Sequence, residues 1–332
     1  MSSRFKLLRK KNNLIDKESI EEGESIACIL AYYNGTKYIQ EQIQSIIDQD
    51  IENFTLSIFI SDDNSEKHFP SIKALTFNNA KSINIFYRKL DKNIGYAKNF
   101  LFSLRSIIKE YDYYCFSDQD DIWGKNKIEK AIKIIKKNQS NKPYLYFSRT
   151  AYFNENCTNE IGRSNLYKNN PSFKNALVQN MAGGNTMIFN NNAKYIISKS
   201  IKDMNFISHD WWCYLIISGS GGNIYYDSDP SIKYRQHKNN FLGSNNKIQD
   251  RIKRIKGLFH NQLKDCNELH IKALKDNEYL LTKENRLILE NFSILRKQSF
   301  LKRIFLFYKS GIHRKTIIGN MGLFLAIVLK KF

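Results

Sequence analysis

Three acidic clusters stand out in a chain with a large excess of positive charge: Asp62-Asp63, Asp118-Gln119-Asp120-Asp121 and the isolated Asp210. Two carboxylates one residue apart, as in Asp118 and Asp120, can hold a hard divalent cation such as Mg2+ or Mn2+, because these ions take oxygen ligands and keep positions open for substrate phosphates. The same spacing is also what a solvated acidic turn offers. Asp62-Asp63-Asn64-Ser65 suits a turn at a strand end, since Asp and Asn side chains bond nearby backbone. Asp210, just before Trp211-Trp212-Cys213-Tyr214, fits a helix N-cap. In a chain of this charge, buried acids call for a cation or basic partner to offset their mutual repulsion.

The elements that position these residues follow from hydropathy. Residues 25–31 form a short, nearly continuous apolar run, as expected for a strand buried on both faces. Ile39, Ile43, Ile46 and Ile47 share one helical face, so 37–48 reads as a helix. A second strand over 54–60 ends at Asp62-Asp63, and a third covers 83–87. A helix runs through Ala97, Phe100, Leu101 and Leu104. A fourth strand, 111–116, ends at the Asp118 cluster, and Asp121-Ile122-Trp123 reads as the approach to a helix start. This alternation predicts an α/β fold with a mainly parallel central sheet flanked by helices. Tyr33-Asn34, Asp62-Asp63 and Asp118 to Asp121 then lie beyond the carboxyl ends of strands, where open α/β sheets bind ligands, and are expected to converge on one cleft. Further strands are predicted at 144–148, 186–189 and 223–226, with a helix around 211–217.

The 332 residues include 52 Lys and Arg against 32 Asp and Glu, a net charge of +20; 42% are hydrophobic, which is ample for a core and excludes disorder of the whole chain. With 15 Gly, 4 Pro and 5 Cys, low-complexity, collagen-like and disulfide-scaffold classes are excluded too. Cys28, Cys115, Cys157, Cys213 and Cys266 are scattered without a CxxC pair, which points to a reducing compartment and against structural zinc. The basic N-terminus lacks the apolar core of a secretory signal, so a cytoplasmic protein is expected. Residues 1–24 read as a polar leader, 25–243 as one catalytic domain without an internal linker, and 244–332 as a helical, basic C-terminal region.

That last region carries much of the charge: residues 241–332 hold 19 Lys and Arg and 7 Asp and Glu, and the final 42 residues hold nine basic residues and no acid. Leu301, Ile304, Phe305 and Tyr308 recur at helical spacing with Lys302, Arg303 and Lys309 on other faces. Two readings stand side by side: attachment to an anionic membrane surface, or a helix packed on the main domain with a solvated basic face. The apolar stretch 317–329 is shorter than the roughly 20 residues a membrane span needs. No nucleic-acid-binding motif accompanies the charge.

In order and spacing, Ile26 to Gly35, Ser61-Asp-Asp-Asn-Ser65, Asn93-Ile-Gly-Tyr-Ala-Lys-Asn99 and Ser117-Asp-Gln-Asp-Asp-Ile-Trp123 resemble the successive motifs of family 2 glycosyltransferases with the GT-A fold, most of all the bacterial rhamnosyltransferase-like enzymes. The resemblance covers about residues 25 to 243. It implies an inverting, metal-dependent transferase using Mn2+ or Mg2+ and a nucleoside diphosphate sugar, with dTDP-rhamnose, UDP-galactose and UDP-glucose all admissible. The acceptor implied is a saccharide or lipid-linked saccharide of surface polysaccharide (capsule or O-antigen) synthesis, at the inner face of the cell membrane.

Residue by residue, the resemblance implies that Tyr33, Asn34, Asp62 and Asp63 contact the base and ribose. Asn93, Gly95, Asn99, Gln119, Asp121 and Trp123 belong to the donor site, Asp121 and Trp123 shaping the sugar pocket. Asp118, Asp120 and His237 hold the metal, Asp120 being the principal ligand. Gly183 and Gly184, in Met181-Ala-Gly-Gly-Asn185, line the donor, and Asp210 is the general base. Two departures stand out: His209 occupies a position that is commonly Glu, and the Gln-x-x-Arg-Trp string of processive members is absent, which implies single addition. Read from the residues alone, Trp123 and His237 are equally at home as structural residues. Rival readings are a nucleotidyltransferase, against which stands the missing glycine-rich basic loop after the first strand, and a non-catalytic carbohydrate- or membrane-binding protein.

Overall fold

Alternate side chains of the first long strand feed two separate cores. In β2 (Ser25–Tyr32), Ala27 and Ile29 enter one apolar cluster while Ile26, Cys28 and Leu30 enter the other, as a strand covered on both faces requires. α1 (Ile39–Ile47) and α3 (Lys127–Lys137) cover the second cluster; α2 (Tyr96–Ser106), the short α4 (Phe173–Ala176), α5 (Asn191–Ser200) and α6 (His209–Gly219) cover the first. Ile39, Ile43, Ile46 and Ile47 are buried, as their spacing requires. The computed structural model describes residues 4–11, 23–51, 54–77, 82–138, 141–168, 170–201, 207–237 and 262–332.

Between the helix layers lies a ten-stranded mixed sheet. Its core is the parallel run β4 (Ser82–Lys89), β3 (Thr55–Asp62), β2 and β5 (Tyr113–Ser117). From β2 the chain builds outward to β3 and β4, then returns to place β5 on the other side. Such a reversal opens a crevice at the carboxyl ends. Tyr32 pairs with Asp62 and Leu30 with Ser117, so β2, β3 and β5 deliver their following loops to one place. The sheet continues through β9 (Ile188–Asn190), antiparallel to both neighbours, then β7 (Tyr144–Phe153) and the parallel β10 (Asn223–Arg235). β8 (Glu160–Arg163) pairs with β7.

Two segments differ from expectation. Ile122-Trp123 does not open a helix; it forms β6, antiparallel to β10 with Trp123 opposite Ile232, and α3 starts only at Lys127. The ladder supplies backbone partners that a helix start would leave unsatisfied: the Gly124 N–H also donates to the Ser231 carbonyl at 2.9 Å. Within the expected leader, β1 (Lys6–Lys11) pairs antiparallel with β4 at the sheet edge.

The C-terminal helices α7 (Gln262–Asp276), α8 (Lys283–Leu295), α9 (Phe300–Ser310) and α10 (Ile317–Val328) pack on the α6 side, with Leu274, Leu289, Phe292, Leu306, Leu323 and Ile327 in the same core as Trp212. The boundary expected near Gly243 lies outside the described residues. In α9 the packed face is not the apolar stripe: Arg303, Leu306 and Ser310 are buried, whereas Leu301, Phe305 and Tyr308 are exposed. Arg303 is tolerated inside because its guanidinium donates to the Val328 carbonyl at 3.0 Å at the end of α10. No helix among the described residues is long and apolar enough to cross a membrane.

Candidate active site

At the end of β3, Asp62 and Asp63 are both buried and their oxygens are already engaged. Asp62 accepts from the Ser65 N–H at 2.7 Å and from the Tyr87 hydroxyl at 2.8 Å. Asp63 accepts from the N–H groups of Ile94 at 2.8 Å and Gly95 at 2.9 Å. Gly95, at φ +82°, is the N-cap of α2 and takes a conformation that side-chain-bearing residues avoid. Asp63 therefore fixes the turn that launches α2, although burial raises its pKa. Asn93 accepts from the Gly95 N–H at 3.1 Å, and buried Asn99 donates to the Ser61 carbonyl at 2.8 Å, fastening α2 to β3. Tyr33 is exposed and Asn34 half-buried with φ +50°; the Asn34 N–H donates to Ser65 Oγ at 2.8 Å.

The end of β5 is built differently. Gln119 reaches the β2 loop, accepting from the Tyr33 N–H at 2.9 Å and donating to the Tyr33 carbonyl at 3.2 Å. A side chain at Gly35 would collide with that amide at 2.2 Å, so glycine there makes the bridge possible. Asp118 and Asp120 are half-buried. The Asp118 pKa is pushed up to about 7, first by burial, then by the charges of Asp120 and Asp210. Asp121 is fully buried, accepts from Asn185 Nδ2 at 2.6 Å and has its Oδ1 without a partner. Its pKa is raised by burial, then by Asp118 and Asp120. Trp123 lies in the core with Lys127 Nζ 3.3 Å above its ring, and its indole N–H faces the Gln42 amide oxygen at 3.0 Å. It supports the acidic loop from below and does not line an open sugar pocket.

Across the crevice, Ser208 is the N-cap of α6, so Asp210 is not the cap but sits in the first helical turn. Its Oδ1 accepts from the Trp211 N–H at 2.7 Å and its Oδ2 from the Gly184 N–H at 3.3 Å. His209 does not face an acceptor. It is buried against Phe100, ring centroids 4.0 Å apart, and both its nitrogens lack partners. Burial lowers its pKa to about 4, so it is neutral at pH 7. A Cβ on Gly184 would meet His209 Nε2 at 2.2 Å. Gly184 is thus demanded by the His209 ring, whereas at Gly183 a Cβ would meet Asn185 Oδ1 at 3.2 Å.

His237 comes to the acidic loop as expected, its Nε2 2.8 Å from Asp120 Oδ2. Neighbouring Arg235, buried, donates from Nε to the Asp120 carbonyl at 2.8 Å and from its other nitrogens to the Glu155 carbonyl and the Glu41 carboxylate. Among the described residues no group of three or more His, Cys, Asp or Glu stands preformed around a metal position. The donor set fits a divalent ion all the same. Two neighbouring carboxylates, with an imidazole against one of them, gain from added positive charge and leave coordination positions for diphosphate oxygens.

Three further residues belong to this site. Lys127, fully buried, donates to the Asn185 carbonyl at 2.6 Å; burial lowers its pKa to about 8, against the pull of Cys115, Cys28, Asp121 and Asp118. It is the positive charge beneath the acidic loop. Tyr96 is close enough to Asp210 and Asp118 for both to help burial raise its pKa to about 12. Arg235 anchors the loop backbone. In a chain rich in Lys and Arg, nothing local marks Lys127 or Arg235 as buried; Tyr96 lies inside the Asn93 to Asn99 motif, whereas Lys127 lies beyond the Ser117 to Trp123 string.

Clustered carboxylates with Lys127 beneath them thus lie at the crevice of a mainly parallel sheet. Residues 27–196 match the glycosyl transferase family 2 model, and the chain belongs to that family. It is a glycosyltransferase with a nucleotide sugar donor and the GT-A arrangement. A curated relative, the dTDP-rhamnosyl transferase RfbG of Shigella flexneri, is 34% identical over 242 residues, 70% of this chain and 80% of that one. Among solved structures, Staphylococcus aureus TarS with UDP-GlcNAc aligns at TM-score 0.49 and 15% identity over 87% of this chain and 93% of that chain. The Pyrobaculum calidifontis mannosyltransferase PcManGT with GDP-Man and Mn2+ aligns at TM-score 0.44 and 12% identity over 92% and 85%.

Proposed function

We propose that this enzyme transfers a sugar with inversion from a nucleoside diphosphate donor, dTDP-rhamnose foremost, to a hydroxyl of a lipid-linked saccharide at the cytoplasmic face of the membrane, in capsule or O-antigen assembly. The donor choice is supported by the similarity to RfbG. The observation that carries the chemistry is Asp210 facing the Asp118 cluster closely enough to raise the Asp118 pKa. A base on one side of the sugar and a diphosphate-binding cluster on the other suit a single displacement.

In this reading Asp210 takes the acceptor's hydroxyl proton, a contribution of about 100- to 10,000-fold. The Gly184 N–H holds its Oδ2 in place. Asp118 and Asp120, with His237, hold Mg2+ or Mn2+, which when bound supplies charge to the departing diphosphate. Tyr33 and Asn34 meet the nucleoside, while Asp62, Asp63, Asn93, Gly95 and Asn99 shape the loops around it. Gln119, Asp121 and Lys127 hold the acidic loop, and Gly183 borders the sugar.

The test is hydrolysis of a panel of sugar nucleotides by purified protein with Mn2+ or Mg2+, then with EDTA. Metal-dependent release of dTDP from dTDP-rhamnose, lost in Asp120→Ala, is expected. Release of UDP alone would reject the rhamnosyl assignment, and no binding of any donor would reject the whole reading.

A further inference from the structure

The outward face of α9 and α10 has no protein partner among the described residues, and its chemistry is specific. Leu301 is 79% exposed, Tyr308 70%, Ile317 81% and Ile318 80%, and Phe305 and Met321 are likewise exposed. These two stripes adjoin. Tyr308 of α9 and Met321 and Phe324 of α10 line one groove of about 450 Å3 between the helices, and the Phe307 and Phe324 rings lie 6.0 Å apart. An exposed apolar patch of this kind marks an interaction surface.

Charge decides the occupant. Exposed Lys302 and Lys309 flank the α9 stripe, and exposed Lys297 and Lys330 stand before α9 and after α10. The last 42 residues carry nine basic side chains and no acid. A second copy docking symmetrically would set this charge against itself. An anionic bilayer matches both features, apolar side chains entering the headgroup boundary and lysines meeting lipid phosphates.

We infer that the α9–α10 face is a monotopic docking surface for an anionic lipid bilayer. The inference deepens the membrane-face part of the proposed function and rests on it. The surface is also tied to the acceptor side of the site. The turn between α9 and α10 is bound to the segment leading into the Gly183-Gly184 loop: Asn175 Nδ2 donates to the His313 carbonyl at 3.0 Å, Arg314 Nε to the Val178 carbonyl at 3.1 Å, and the Lys315 N–H to Gln179 Oε1 at 2.9 Å. Trp211, next to Asp210, donates from Nε1 to the Ala176 carbonyl at 2.7 Å. A bilayer on this face therefore holds the acceptor side of the site at a fixed attitude to the membrane, without any helix crossing it.

The experiment is flotation of the full chain with phosphatidylcholine vesicles made with and without phosphatidylglycerol, in low and high salt, with no donor or acceptor present. Salt-sensitive binding to the anionic vesicles alone is expected. Lys302→Gln with Lys309→Gln should weaken it roughly thirtyfold. Leu301→Ser, Phe305→Ser, Ile317→Ser and Ile318→Ser together should abolish it. These side chains are exposed, so the variants should keep the wild-type melt and donor hydrolysis; should the fourfold variant not fold, Phe305→Ser alone and the lysine pair still decide. Absence of binding by the wild type, or binding unchanged in the variants, overturns the inference. A dimer that the serine changes dissociate, without vesicle binding, overturns it in favour of a second copy. Because flotation is read apart from hydrolysis, either result leaves the transfer chemistry to its own test.

Discussion

Asp62-Asp63 and Asp118 to Asp121 end neighbouring strands of one sheet, yet they are built for opposite purposes. Every carboxylate oxygen of the first pair accepts from protein: a serine N–H, a tyrosine hydroxyl and the two N–H groups that open α2. In the second cluster Asn185 donates to Asp121 and His237 stands against Asp120, while other nearby cationic and amide donors go to backbone. Arg235 bonds the Asp120 carbonyl, Gln119 bonds the Tyr33 backbone, and Lys127 bonds Asn185, so Asp118 is left with its pKa at about 7 among like charges. Equal-looking acidic pairs thus divide into one whose oxygens are all engaged by the fold and one, proposed to meet the diphosphate, whose charges crowd together.

The sharpest way to break this division is to neutralise each side in turn. Asp210→Asn and Asp120→Asn should each lower kcat by about 100- to 10,000-fold, with thermal melts close to wild type. Asp63→Ala should do the reverse. It strands two partly buried N–H groups at the start of α2, at a cost of roughly 2 kcal/mol measured by urea unfolding. If Asp63→Ala left stability intact while abolishing donor binding, the two pairs would be alike and the comparison would fail.

A smaller effect separates the floor of the catalytic side from its surface. His209 and His270 are buried with both ring nitrogens unpartnered, and burial lowers each pKa from 6.5 to about 4. A histidine whose folded pKa lies below its unfolded value adds full stability above the unfolded value and loses it as pH falls toward the folded one. Between about pH 7 and pH 5 each should contribute a loss of roughly 2 kcal/mol. Urea titrations of wild type and His270→Phe should therefore differ in slope against pH by one such step. Parallel curves would mean that His270 does not titrate as a buried neutral ring.

How much of this was legible in the sequence depends on how far each feature's cause lies along the chain. β2, β3 and β5 declare themselves because a strand covered on both faces is a continuous apolar run, and α1 because four isoleucines share a face. β6 does not: two residues gain their identity only from Ile232 and Lys233 on the far strand. The acidic clusters were visible as clusters, but their different environments were not. The Ile94 and Gly95 N–H groups reach Asp63 across 31 and 32 residues, and Arg235 reaches Asp120 across 115. In α9, periodicity found the apolar stripe but not its direction, because buried Arg303 is paid for by a carbonyl of α10 that no window on α9 contains.

Gln119 is the residue that sharpens the comparison most, because it sits between the two metal-side carboxylates while its amide does structural work. Both of its hydrogen bonds go to the Tyr33 backbone, at 2.9 and 3.2 Å, and Gly35 leaves it room. It therefore couples the loop proposed to meet the nucleoside to the loop proposed to meet the diphosphate. Gln119→Ala should cost only about 1 kcal/mol of stability, since both Tyr33 groups lie near solvent and can turn to water. Its functional signature should be a raised donor KM with kcat nearly kept, because an untethered Tyr33 loop weakens ground-state and transition-state binding alike. Gly35→Ala, which drives a methyl into the same amide, should give the same kinetic pattern. A fall in kcat with KM unchanged in either variant would place Gln119 on the ligand-facing side of the division and move the border between the two acidic regions by one residue.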